Sequence, residues 1–81
     1  MGPLLPVHLL SAGKSARIRR LVGRPEDVHR LEEFGFRPGT TIQMFRPGNP
    51  CILRLDGHKV CFRSEDGLEI LVTPSEAASS S

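Results

Sequence analysis

RLEEFGFRPGTTI, from Arg30 to Ile42, carries the densest local instruction in this chain. Val28, Leu31 and Phe34 fall on one side of a helix, and Pro25, Glu26 and Asp27 supply a suitable first turn for it. Gly35 is the expected left-handed stop, with Phe36 folding back onto Leu31 in a Schellman ending. Arg37-Pro38-Gly39-Thr40 then fits a type II turn, in which Pro38 fixes φ and Gly39 supplies a positive one. The turn launches TTIQMF as a strand with Ile42 and Met44 on one face. The corner formed by Arg30, Leu31, Gly35, Phe36, Pro38 and Gly39 therefore reads first as structural.

Upstream, Val7 and Leu10 stand one helical turn apart, ahead of Gly13. In SARIRRLV, Ala16 and Ile18 alternate with Arg17 and Arg19, and Leu21 falls out of phase, which predicts a bulge or a bend near Arg20. Downstream, RPGNP (Arg46, Pro47, Gly48, Asn49, Pro50) is a loop. CILRL and HKVCF flank Asp56-Gly57, the strongest hairpin signal in the chain. A two-residue turn there pairs Leu55 with His58, Leu53 with Val60 and Cys51 with Phe62. Cys61 then faces Ile52 on the opposite side from Cys51, so the two thiols are expected to stay reduced. SEDG makes a short turn, and Leu68, Ile70 and Val72 share a phase in the closing strand. About five short strands with one helix predict a mainly β fold, a small SH3-like, partly open barrel.

The chain has 81 residues, 38% of them hydrophobic, and a formal net charge of +2. One domain with a modest core fits that length. The charge is too mild to argue nucleic acid or membrane binding by itself. No apolar run reaches the roughly 20 residues of a membrane span, and the opening MGPLLPVHLL lacks a basic leader. Two cysteines imply no disulfide framework and suit a reducing cytosol. The expected layout is an extension over residues 1–6, the barrel over 7–72 and a disordered tail over 73–81.

No catalytic constellation appears: there is no Ser-His-Asp order, P-loop, dinucleotide fingerprint or CxxC. His29 and Glu33, four apart on the helix with Glu26 nearby, and Cys61 are candidate metal ligands. Stable zinc sites want three or four ligands, so a charged helix face is the plainer reading. Asp56 and His58 read as turn chemistry, and Cys51 as a core filler. The basic RIRR stretch with Arg24 raises RNA binding. Against it, Trp and Tyr are absent, and the Phe residues fit core positions. Among the loops, Arg46–Pro50 is the candidate for partner recognition.

In order and spacing, AGKSARI, RLEEFGFRPGT, LDGHKVCFR and LEILV resemble the FeoA family over roughly Val7 to Val72. The most specific part is Arg30-Leu31, Gly35-Phe36 and Pro38-Gly39, supported by Gly13, Ala16, Ile18 and Arg63. The resemblance implies an SH3-like barrel without catalysis of its own. It also implies a cytosolic accessory role in bacterial ferrous iron uptake, with a FeoB-type membrane transporter as partner and a peripheral place at the inner membrane through it. No cofactor is required on this reading, and Fe2+ or Zn2+ would bind weakly at most. No nucleic acid and no direct membrane insertion are expected. An Fe(II) carrier or sensor and a small RNA-binding barrel are the alternatives. Two departures stand out: PGNP replaces the family's longer PLGDP-like loop, and Gly67 stands where Ala is usual.

Overall fold

The computed structural model describes residues 3–65 and 67–75. Its elements are β1 (Leu5–Pro6), a 3-10 turn (Val7–Leu9), β2 (Ser15–Val22), α1 (Pro25–Phe34), β3 (Thr41–Arg46), β4 (Cys51–Leu55), β5 (His58–Phe62) and β6 (Glu69–Pro74). All pairings are antiparallel, and the sheet order is β1-β6-β2-β3-β4-β5. This is the expected small mainly β fold with one helix, curled around a single core.

Alternation builds that core. Ala16 and Ile18 of β2, Ile42 and Met44 of β3, Cys51, Leu53 and Leu55 of β4, and Ile70 and Val72 of β6 are all buried. They point inward because successive strand residues face opposite ways, and one phase of each strand is apolar. The β2 ladder shifts register between Ile18 and Arg20, which returns Leu21 to the core side. Such a bulge adds local twist, which helps a short sheet to curl. The β4–β5 register is the expected one, from Leu55↔His58 to Cys51↔Phe62. Its turn has φ 52° at Asp56 and 82° at Gly57, both positive as a type I′ turn requires.

The sheet reaches beyond the expected boundaries at both ends. Leu5 and Pro6 pair with Val72 and Leu71, so the segment taken as an extension supplies a sixth strand. Thr73 and Pro74 pair with Arg17 and Ala16, and the Ser75 N–H donates to the Ser15 carbonyl at 2.9 Å. The first half of β2 would otherwise lack a neighbour on that side, which is why residues 73–75 belong to the sheet and not to a tail. The expected disorder of 76–81 lies outside the described residues.

Candidate docking surface

The corner is built as its residues dictate. The Phe36 N–H donates to the Leu31 carbonyl at 3.0 Å and the Gly35 N–H to that of Glu32 at 3.0 Å, the two bonds of a Schellman ending. Gly35 has φ 109°, a conformation that costs a residue with a Cβ about 1–2 kcal/mol. The Arg37 Nε donates to the same Glu32 carbonyl at 3.2 Å, placing a cation at the negative end of the helix. The following turn closes with the Thr40 N–H on the Arg37 carbonyl at 3.0 Å, and Gly39 has φ 95°. It is also docked: the Gly39 N–H donates to the Ile18 carbonyl at 2.7 Å, and the Ile18 N–H to that of Thr40 at 2.8 Å.

Leu31 and Phe36 enter the core, whereas Arg30, Pro38 and Gly39 lie on the surface. Phe34 departs from expectation. Instead of completing an apolar stripe it is 62% exposed. The chain reverses at Gly35, so Phe36 takes the core position and Phe34 is left at the lip of an open groove. That groove, of about 600 Å³, runs between the end of α1 and the β4–β5 hairpin, with Arg37, Thr41, Leu55, His58 and Val60 also along it. Phe45 is likewise 44% exposed, so only Phe36 and Phe62 fill the core positions expected of all the Phe residues.

The Arg46–Pro50 loop is exposed along its whole length, and Asn49 pins it. The Asn49 Nδ2 donates to the Ser64 carbonyl at 3.3 Å, and its Oδ1 accepts from the Ser64 N–H at 2.9 Å. The Ser64 hydroxyl donates to Glu69 Oε2 at 2.6 Å, and Glu69 Oε1 lies 3.7 Å from His8 Nδ1. The loop is thus tied through Asn49 and Ser64 to Glu69 of β6, whereas Glu69 Oε1 and His8 Nδ1 make no hydrogen bond. A polar Asn between Gly and Pro was the signal for this anchor, but its partner, 15 residues on, was not legible.

The metal candidates separate into a pair and a lone thiol. His29 Nε2 and Glu33 Oε2 are 3.1 Å apart on an exposed helix face. Cys61 is exposed on β5 and does not join them, and among the described residues no group of three or more His, Cys, Asp or Glu side chains could hold a metal. Cys51 is buried, and burial pushes its thiol up, partly offset by a backbone hydrogen bond and reinforced by Cys61. That favours the protonated, unreactive form.

A family model for the FeoA domain matches residues 5–74. The chain belongs to the FeoA family. Membership implies a role in ferrous iron uptake for a small accessory domain that is not a known enzyme family. No curated protein matches the chain. Among solved structures it is similar to an iron uptake regulatory protein (FeoA), with 19% identity and a TM-score of 0.80 over 90% of this chain and 100% of that one. The FeoA protein of Chlorobium tepidum is similar at 23% identity and a TM-score of 0.75, over 86% and 70% of the two chains. T. acidophilum IdeR matches at 24% identity and a TM-score of 0.78 over 93% of this FeoA chain but 37% of its own length. At these identities the likenesses establish the SH3-like fold. Among the described residues, no helix is long and apolar enough to cross a membrane.

Proposed function

We propose that this FeoA protein is a non-enzymatic, cytosolic adaptor that docks on a FeoB-type Fe(II) transporter and modulates it. The observation that carries the reading is the FeoA match, which spans the whole sheet from β1 to β6. The Arg46–Pro50 loop is the docking element: it is exposed, and the Asn49–Ser64 bridge holds it in one shape, so little ordering is needed on binding. Capture of transporter from detergent-solubilised membranes tests this. Pro47→Glu should abolish capture while leaving the melting curve unchanged. Capture that persists in this variant would remove the loop from the interface, and no capture by the wild type would remove the reading.

A metal-carrier reading draws on the His29–Glu33 pair alone. Two exposed ligands hold a divalent ion weakly. Anaerobic Fe(II) titration should show no tight site, and tight binding lost on His29→Ala would reverse that ranking.

A further inference from the structure

The net charge of +2 conceals a strong segregation. Helix α1 carries Glu26, Asp27, Glu32 and Glu33 against Arg30. Strands β2, β3, β4 and β5 carry Arg17, Arg19, Arg20, Arg46, Arg54 and Lys59, and no Asp or Glu. Register gathers several of these cations. Ser15 lies opposite Gln43, Gln43 opposite Arg54, and Arg54 opposite Lys59, so the four share a face. It is the outer face, because the alternating residues Ile42, Leu53 and Leu55 are buried. Arg17, two positions along β2 from Ser15, and Arg46, opposite the half-buried Ile52, belong to the same side. Among the described residues, none of Arg17, Arg46, Arg54 and Lys59 enters an ion pair.

Phe45 completes this surface. The register shift between Met44 and Arg46 leaves it as the extra residue of a bulge, turned outward. The Lys59 Nζ lies 4.0 Å from its ring centroid, and the Arg54 Cζ 5.8 Å. An ammonium already covers one face of the ring, which makes it a poor platform for stacking a base. A ring flanked by unpaired cations does suit a lipid headgroup layer, where the aromatic group enters the interface and the cations meet phosphates.

We propose that the outer face of β2–β5 binds an anionic phospholipid surface directly, through Arg46, Arg54 and Lys59 around Phe45 and Ile52, with Arg17 further along the same face. The contact is peripheral and needs no transporter. Co-sedimentation with protein-free vesicles tests it separately from the adaptor reading. Wild-type protein should sediment with vesicles of equal parts phosphatidylglycerol and phosphatidylcholine at low salt, stay in solution with phosphatidylcholine alone, and be released as salt rises past about 0.15 M. Arg54→Glu with Lys59→Glu should weaken binding by at least about tenfold, while Arg54→Lys should retain it. Arg24→Glu with Arg30→Glu makes the same change in net charge on and beside α1 and should leave binding within about twofold. Circular dichroism establishes that each variant is folded. Equal losses from the strand and helix pairs would overturn the proposal, as would no vesicle binding by the wild type. Retention by single-stranded RNA but not by vesicles would overturn it in favour of nucleic acid.

Discussion

Arg-Pro-Gly occurs twice in this FeoA protein, at Arg37–Gly39 and at Arg46–Gly48, and the two copies meet different fates. In the first, Pro38 and Gly39 occupy a closed turn whose backbone continues the β2 ladder through Ile18. The second opens a wide exposed loop, held through the side chain of the following Asn49. The tripeptide favours a reversal in both places. What differs is the neighbour: β2 offers the Ile18 N–H and carbonyl to Thr40 and Gly39, whereas the second copy leaves the sheet after Arg46, opposite Ile52, and its loop reaches the Ser64 backbone through Asn49. A backbone anchor tolerates changes of side chain and a side-chain anchor does not, while both copies need their glycine, with φ 95° at Gly39 and 135° at Gly48.

The sharpest test of the first region is its packing. Phe36→Ala should cost about 3–5 kcal/mol, much of the total stability of a small domain, so denaturant melts should show a protein barely folded at room temperature. A melt close to wild type would mean that the corner is not seated on the core as described.

Next come the two glycines. Gly35→Ala should cost more than Gly39→Ala, although both positions have positive φ. A Cβ at Gly35 would lie 3.1 Å from Leu55 Cδ2, whereas one at Gly39 meets nothing within 4 Å. Backbone strain of about 1–2 kcal/mol applies to both, and each kcal/mol lowers the melting temperature of such a domain by about 4–8 °C. Equal shifts in thermal melts would show that Leu55 gives way freely.

In the second region Asn49→Ala removes two exposed hydrogen bonds and should cost about 1 kcal/mol in all. Because Asn49 also holds the loop through its two bonds to Ser64, Pro47→Glu is the cleaner probe of docking. An Asn49→Ala melt that overlays the wild type would mean that the loop is held by something else.

The smallest effect is at the thiols. Cys61→Ser should alter stability by no more than about 0.5 kcal/mol, as at an exposed site. In the folded protein iodoacetamide should modify Cys61 and spare Cys51, whose thiol is buried and pushed up. Labelling of Cys51 before unfolding, followed by mass spectrometry, would show that β4 opens locally.

Legibility followed the range of the forces. The Schellman ending, the Pro38-Gly39 turn, the bulge near Arg20 and the β4–β5 register each rest on a few adjacent residues, and each appears as read. Phe34 was misplaced because a helical stripe shows which residues share a side, not where the partner surface ends. Phe45 was misplaced because a bulge, invisible to period-two counting, turned it outward. Of the candidate site residues, Arg46–Pro50 could be recognised as a loop, but not as one bridged to Ser64.

By itself the sequence determined the turn types, the helix stop, the hairpin register and the family resemblance, since glycine, proline and alternation act over one or two turns of backbone. The tertiary structure decided which strands lie side by side. That choice brought Leu5–Pro6 and Thr73–Pro74 into the sheet, gave the two Arg-Pro-Gly copies different anchors, and set Arg17, Arg54 and Lys59 on one face. Arg54 and Lys59 face each other across one hairpin, but Arg17 lies far from them in the chain, and only the pairing of β2 with β3 and of β3 with β4 puts it on their face.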